Sequence, residues 1–585
     1  MQNKPVFWYT NQRNHCEESG RKGMKIYVAN FRIKPMNISA NLDAAMQQLD
    51  CCISKKCDVI VFPSGFLFGT KPGVIKNADW ARRTYNDSIA ALCQKASQHG
   101  IAVVADKICS CDGNFVPSIL KDTSENCYET EIAGLNCRTV KNSAELFGNV
   151  PSICNGTDIV FINWMEKGVA GQKYLWTETL KAISAKYGTA FVFSTAGSGY
   201  STHPDFYMPM IGVIKNGVAD IYHNFDGIKN APCVFDVEKA VLNHAETDDT
   251  EYAAATAFPV CYNQNPLVPA NVPEKEYCLD LFDMQCESLA NRLVNINCKN
   301  IVLNLSGGLD STAALLVCAR TFDMLGLDKK GMHIITQPGF GTSSTTKGLA
   351  HDLCKGLGLE LKTVDITDTC RAALLSVGHD GVTPDVTFEN VQARTRTMNA
   401  LNMANHLGAI MVGTGDLSEE ALGFSTYGGD QLASYNVNCC VSKTVMRTML
   451  PYVTGMEMFS GVRDAVDRVL NVPVSPELIP HGGKILQKTE DILAPYKLID
   501  FFIYCTVVTK VSPAEVAALA YDTFRGEFDK EYIAEKLKMF YRKFAVGQIK
   551  RSCAPECADI THVSLLSSDT FYPSDGSTDI FVQNF

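Results

Sequence analysis

The 585-residue sequence has no uninterrupted apolar run of about 18 residues, the length a helix needs to cross a bilayer. Its opening segment, Met1 to Gly23 (MQNKPVFWYTNQRNHCEESGRKG), has no apolar h-region of the kind that directs export. Positive charge is not in excess. Lys and Arg total 53 against 63 Asp and Glu, a net charge of −10, which argues against nucleic-acid binding through a broad basic face. There is no internal repeat and no low-complexity tract. Cysteine is plentiful, at 23 residues, but metal-binding spacing is missing. The tightest clusters are Cys51-Cys52, Cys109-x-Cys111, Cys439-Cys440 and Cys553-x3-Cys557; no pair of C-x2-C knuckles and no H-x-x-x-H accompanies them. An odd number of cysteines in so long a chain also does not fit the disulfide framework of a small secreted domain. The thiols read as small buried hydrophobes in a soluble, cytoplasmic protein that has no membrane or nucleic-acid partner.

What is present is ordinary folding material, 46% hydrophobic and 20% charged, in a chain long enough for several domains of ~100–200 residues each. From Met24 onward, strand-like and helix-like runs alternate. Lys25–Phe31 (KIYVANF), Asp58–Phe62 (DVIVF), Ile101–Ala105 (IAVVA), Asp158–Trp164 (DIVFINW) and Thr189–Ser194 read as strands. Between them lie helical stretches such as Asn37–Cys57 and Tyr174–Tyr187. Residues 233–273 loosen into Pro-, Asn- and acid-rich sequence and read as a linker, and helical periodicity resumes at Glu274. The expected division is an extension over 1–23, an α/β unit over 24–232, the linker, and a second α/β unit over 274–585.

The strand Asn300–Leu305 runs into Ser306-Gly-Gly-Leu-Asp-Ser311-Thr312 and then an apolar helix. Two glycines allow a tight turn whose N–H groups face an anion, and the helix N-terminus adds its dipole. Ser306, Ser311 and Thr312 supply hydroxyls, and Asp310 is placed to hold a cation against phosphate charge. No lysine follows the glycines, so this is not the Walker pattern. SGG-x-DS resembles the pyrophosphate loop of the ATP pyrophosphatase superfamily, whose members adenylate a carboxyl or carbonyl oxygen. Further segments follow: Thr336-Gln-Pro-Gly-Phe-Gly-Thr342, Phe388-Glu-Asn-Val-Gln-Ala-Arg394-Thr-Arg396, Val412-Gly-Thr-Gly-Asp-Leu-Ser-Glu419, Gly423-Phe-Ser-Thr-Tyr-Gly-Gly-Asp430, Ser442-Lys-Thr444, Val474-Ser-Pro-Glu-Leu478 and Gln548-Ile-Lys-Arg-Ser552. In this order they resemble the synthetase domain of NAD synthetases, of the long two-domain type with an N-terminal glutaminase.

The resemblance implies a Rossmann-like parallel-sheet domain of the adenine nucleotide alpha hydrolase kind. It also implies two steps: ATP adenylates the nicotinate carboxylate of deamido-NAD, and ammonia then displaces AMP to give NAD. Residue by residue, it implies that Ser306, Gly307, Gly308, Leu309, Asp310, Ser311, Arg394, Thr414, Lys443 and Ser475 bind ATP. Asn390, Glu419, Asp430 and Lys550 would bind deamido-NAD, and Asp310 and Glu419 would hold Mg²⁺ and act as the catalytic pair. A homo-oligomer is also implied.

Residues 24–232 resemble the nitrilase-like glutaminase domain, an α/β/β/α sandwich, on the opening strand, on Val61-Phe-Pro63 and on Gly156-Thr-Asp-Ile-Val-Phe-Ile-Asn163. Glutamine hydrolysis there needs a cysteine nucleophile, a glutamate base and a lysine. The glutamate position holds Ser64, whose hydroxyl cannot serve as a general base near neutral pH. Cys137 and Cys154 are the candidate nucleophiles, and Lys121 and Lys141 compete for the lysine. If Lys141 is the match, Cys137 precedes it and is excluded. The expectation is a degenerate glutaminase and an enzyme using free ammonia. A glutamine-hydrolysing synthetase, another ATP pyrophosphatase such as a GMP synthetase or a tRNA-modifying enzyme, and a non-catalytic interaction protein are the rivals.

Overall fold

The computed structural model describes residues 23–69, 78–105, 107–109, 128–140, 142–195, 199–200, 204–223, 233–238, 252–341, 344–472, 493–566 and 570–582. The strands, in chain order, are β1 (Gly23–Val28), β2 (Val59–Val61), β3 (Ala102–Ala105), β4 (Lys107–Cys109), β5 (Tyr128–Ile132), β6 (Leu135–Thr139), β7 (Ile159–Ile162) and β8 (Ala190–Ser194). They continue as β9 (Met210–Lys215), β10 (Val218–His223), β11 (Cys233–Glu238), β12 (Ile301–Asn304), β13 (Met332–Thr336), β14 (Leu361–Thr363), β15 (Ile410–Gly413) and β16 (Tyr435–Asn436). They form three sheets, ordered β11-β1-β2-β3-β4, β10-β9-β8-β7-β6-β5 and β14-β13-β12-β15-β16.

Period-two alternation decides what each face of the first two sheets covers. Met24, Ile26, Val28, Val59, Val61, Ala102 and Val104 pack against Cys137, Ile159, Phe161, Ala190, Val192, Ile211 and Val213, so the two sheets meet face to face. The alternate residues of the first sheet, Tyr27, Ile60 and Val103, meet Leu49, Cys52, Ile89 and Leu92 of helices Ile38–Ser54 and Asp79–Ser97. On the second sheet Val160, Ile162, Phe191 and Phe193 meet Leu180 and Ile183 of helix Gln172–Tyr187. The result is an α/β/β/α sandwich, as expected for a nitrilase-like unit. Helix Ile38–Ser54 starts where Asn37 caps it, its side chain accepting from Ala40 N at 3.1 Å.

One boundary differs from the sequence reading. Cys233–Glu238, placed in the linker, form β11 and pair antiparallel with β1 along its whole length. The stretch CVFDVE buries Phe235 and Val237 and exposes Asp236 and Glu238, the alternation of an edge strand. Polar neighbours on the C-terminal side hide that signal in the sequence.

The third sheet is parallel throughout. Its strand order reverses at β12, so β12 and β15 lie side by side with their following loops diverging. Val302, Ile335 and Met411 face Ala400 and Ala404 of helix Val386–Leu407, while Ile301, Leu303, Ile334 and Val412 share a core with helices Glu274–Asn295 and Leu309–Leu325. A doubly wound sheet of this kind binds ligands at the carboxyl ends of its strands, where the order reverses. Helix Glu274–Asn295 also touches the sandwich: Asp280 accepts the Gly171 N–H at 2.8 Å, and Asn295 accepts from Arg32 at 2.9 Å. Among the described residues, no helix is long and apolar enough to cross a membrane.

Candidate active site

The loop after β12 is built as the glycines require. Gly307 has a φ of +88°, a conformation that side-chain-bearing residues rarely adopt, and Gly308 caps helix Leu309–Leu325. Ser306 Oγ accepts the Gly308 N–H at 3.1 Å and lies 3.0 Å from Ser311 Oγ; Ser311 and Thr312 hydroxyls both reach Gly308 O, at 3.2 and 2.8 Å. Leu309, Ser311 and Thr312 are buried, so Ser306 and, in part, Asp310 are the polar side chains on the loop's open side.

Asp310, on the first turn, meets residues from two other segments. Asp416 caps helix Leu417–Leu422 by accepting the Glu419 N–H at 2.9 Å, and this brings both acids to the end of β15. Ser442 caps helix Lys443–Thr454 and delivers Lys443. The Lys443 ammonium, fully buried, lies 2.8 Å from both Asp310 carboxylate oxygens, 2.5 Å from Asp416 Oδ2 and 3.0 Å from Glu419 Oε1. Its Nζ is also 5.2 Å from the centre of the Tyr496 ring. Burial pushes the Glu419 carboxyl up to about 7 despite the pull of Lys443, and it raises Asp416 as well. For Lys443 burial works against the charge, but three surrounding carboxylates outweigh it and hold the proton on.

The oxygens of Asp310, Asp416 and Glu419 lie within 4.8 Å of one another. Three hard oxygen donors around one ammonium leave a formal deficit of two positive charges, a match to a divalent cation such as Mg²⁺. Asn438 braces the arrangement. Its Nδ2 donates to Asp310 O at 3.0 Å and Thr414 O at 3.3 Å, joining the loops that follow β12 and β15. Asp310, Glu419, Thr414 and Lys443 are among the residues the motifs imply, although Lys443, expected on ATP, sits among the acids; Asp416 and Asn438 are not among them. The Asp-x-x-Glu spacing of a helix cap within Asp416-Leu-Ser-Glu419 was the available signal for Asp416.

A second group converges on residues 423–430. Thr426 donates its hydroxyl to Asn390 Oδ1 at 2.9 Å and its N–H to Asp430 Oδ1 at 2.7 Å. Arg394 Nε donates to Tyr427 O at 3.1 Å, and Lys550 Nζ donates to Gly423 O and Ser425 O at 2.6 and 2.5 Å. Four expected site residues from three segments thus share one loop. Gly423 makes this possible. It has a φ of +57°, and a Cβ there would stand 2.8 Å from Gly547 Cα. Ser475 lies outside the described residues.

In the sandwich the expected residues do not assemble in this way. Ser64 follows β2, is buried, and its carbonyl accepts the Tyr200 hydroxyl. Cys137 points into the core between the two sheets, and Cys154 lies on the opposite side of the second sheet under its outer helices. Burial raises both thiols to about 12, far from a thiolate at neutral pH. Lys121 and Lys141 lie outside the described residues.

The fold and this site together define an α/β protein that joins a nitrilase-like sandwich to a parallel-sheet domain of the ATP-pyrophosphatase kind. Comparison with known proteins agrees with that class. Residues 281–527 match the NAD synthase family model. A glutamine-dependent NAD(+) synthetase of Mycobacterium leprae is 36% identical over 345 residues, 54% of this chain and 51% of that protein. One from Xanthomonas campestris pv. campestris is 28% identical over 381 residues, 62% of this chain and 65% of the relative. The chain spans about half the length of the first curated relatives it matches. The crystal structure of a glutamine-dependent NAD(+) synthetase from Cytophaga hutchinsonii superposes with a TM-score of 0.71 at 14% identity, covering 96% of this chain and 99% of that one. That of Acinetobacter baumannii, solved with ADP, gives 0.61 at 16% identity, covering 95% and 98%. The NAD synthetase resemblance drawn from the motifs therefore holds in sequence over about half of the chain, and the two-domain arrangement holds in fold.

Proposed function

We propose that the protein is an NAD synthetase that amidates deamido-NAD at the expense of ATP. The observation that carries this reading is Lys443 enclosed by Asp310, Asp416 and Glu419 beside a glycine loop, at the strand-order reversal of a sheet lying within the NAD synthase match. The glycine loop and the exposed Ser306 hydroxyl receive the triphosphate at the helix start, and Lys443 meets the charge that develops as pyrophosphate leaves. The loop 423–430, braced by Asn390, Arg394, Asp430 and Lys550, is the platform for the dinucleotide. Asp310, Asp416 and Glu419 would hold Mg²⁺, which supplies charge neutralisation for the phosphates. In the first step the nicotinate carboxylate attacks the α-phosphorus and pyrophosphate departs. In the second, ammonia attacks the acyl carbon, loses a proton and expels AMP. The side chains mainly position reactants and offset charge.

The ammonia arrives free, on this reading, because Ser64 stands where a base is needed and both described candidate thiols, Cys137 and Cys154, are core residues. A second reading, glutamine as donor, is favoured by the names of the relatives. NAD formation from deamido-NAD, ATP and Mg²⁺, assayed with ammonium and with glutamine separately, decides. Comparable efficiency with glutamine overturns free ammonia as the source, and no turnover with either overturns the synthetase. Homo-oligomerisation is checked on the same preparation by light scattering.

A further inference from the structure

One buried carboxylate outside the site proper links the two segments that carry it. Asp500, on helix Tyr496–Tyr504, is 1% exposed. Its Oδ1 accepts the Ser418 hydroxyl at 2.6 Å; its Oδ2 accepts the Thr444 N–H at 3.1 Å and the Thr444 hydroxyl at 2.5 Å. Ser418 lies between Asp416 and Glu419, and Thr444 follows Lys443. Ser418 Oγ also accepts the Lys443 N–H at 3.0 Å, which closes the connection between the two helix starts. One turn earlier on the same helix, Tyr496 places its ring by the Lys443 ammonium.

We propose that Asp500 is a positioning residue that fixes Asp416 and Glu419 at their distances from Lys443, and so sets how tightly the acid cluster takes up a divalent cation with a triphosphate. The Ser418 hydroxyl and the Thr444 N–H and hydroxyl all donate to the carboxylate, and the Thr444 N–H can do nothing else, so an accepting oxygen must face it. An asparagine there keeps that oxygen but turns an amide N–H toward Ser418, which reverses the contact and removes the negative charge without any loss of volume. The two helices are then free to adjust, and the oxygens of Asp416 and Glu419 leave the arrangement that Lys443 holds. Partners behind metal-binding side chains are worth about 10–100-fold in metal affinity. The inference rests on the proposed synthetase reading for its nucleotide, but the cluster of three carboxylates exists independently of it.

The test uses the full chain with Asp500→Asn, Ser418→Ala and the double variant, and Mn²⁺ as probe, with and without ATP. Free Mn²⁺ is counted by electron paramagnetic resonance well below the melting temperature of each protein. Mn²⁺ affinity is expected to fall about tenfold or more in Asp500→Asn and by less in Ser418→Ala, with the double variant no weaker than Asp500→Asn. In the NAD assay kcat falls and the Mg²⁺ requirement rises in parallel, while KM for deamido-NAD stays within about twofold. A residue that only supports the fold would lower the melting temperature and leave Mn²⁺ affinity and the Mg²⁺ requirement alone. Unchanged Mn²⁺ affinity in folded Asp500→Asn, or fully additive losses in the double variant, overturns the proposal, as does a parent that binds no Mn²⁺ in either condition. If Asp500→Asn does not fold, Ser418→Ala decides by the same criterion. If the parent makes no NAD, the synthetase reading fails and the Mn²⁺ series still decides this one.

Discussion

Replacing Lys443 by methionine removes the resident cation from three carboxylates while keeping most of the side-chain volume. In the parent the ammonium lies 2.5 to 3.0 Å from its three partners, and both Lys443 and Asp416 are inaccessible to water. Removing one member of a buried, hydrogen-bonded charge group costs about 3–5 kcal/mol, because the charges left behind are neither solvated nor paired. The carboxylates can escape part of that cost by taking up protons. Glu419 already does so near pH 7 with Lys443 present, since burial raises it to about 7. Without the ammonium more protons are held into the alkaline range. The sign follows from linkage. Where the folded variant binds more protons than the unfolded chain, stability falls as pH rises, by roughly 1.4 kcal/mol per pH unit for each extra proton. Thermal melting of parent and Lys443→Met at pH 5.5 and pH 8 should therefore give a small gap at the lower pH and a wide one at the higher. Millimolar Mg²⁺ at pH 8 should narrow the gap, because a divalent cation restores the missing charge. NAD formation by the variant should remain at least about 10²-fold below the parent with Mg²⁺ present, since the cation does not replace the ammonium's role toward the leaving phosphate. A gap of equal width at both pH values, untouched by Mg²⁺, would refute the reading of this cluster as a buried charge group in need of a cation.

Other expectations follow from single contacts. Gly423→Ala meets Gly547 Cα and an unfavourable φ, so the loop 423–430 should shift, raising KM for deamido-NAD several-fold more than KM for ATP in steady-state assays. Asn438→Ala removes both hydrogen bonds that brace Asp310 O against Thr414 O, a loss of about 1–3 kcal/mol by chemical denaturation. Cys137→Ala leaves a small void between the sheets, which should lower stability without changing the rate of NAD formation with ammonium. Burial lowers His562, beside Phe258 and Tyr504, to about 4, so the fold keeps it neutral. Its contribution is complete above pH 6.5 and is lost as pH falls toward 4, amounting to about 3 kcal/mol; His562→Gln should make the acid-side decline of stability shallower by that amount.

How much of this was legible in the sequence depends on whether the signal is local. β7, β8 and β12 announce themselves because strands covered on both faces read as continuous apolar runs, IVFI, AFVFS and IVLN. The phosphate loop is equally local, since the glycine turn, the hydroxyls and the helix start are consecutive. β11 escaped because an edge strand of alternating character beside polar sequence looks like a connection. The centre of the site was legible only in parts. Asp310 and Glu419 sit in motifs, but the partner that holds them together, Lys443, is 133 residues from Asp310, and no periodicity reports that the two meet. Asp500 carries a signal of a different kind. It is the one acid in the helix Tyr-Lys-Leu-Ile-Asp-Phe-Phe-Ile-Tyr, whose residues from Leu498 to Tyr504 are all buried. An ionisable group in such a run must be paired or hydrogen-bonded to be tolerated. A lone acid in an apolar helix therefore predicts, from sequence alone, that a partner exists. The sequence cannot name the partner, because Ser418 and Thr444 become its neighbours only when three helices meet. The candidate site of this chain is in that sense distributed: its acids and its lysine lie in separate motifs, and Asp500, which joins two of those motifs, lies in none of them.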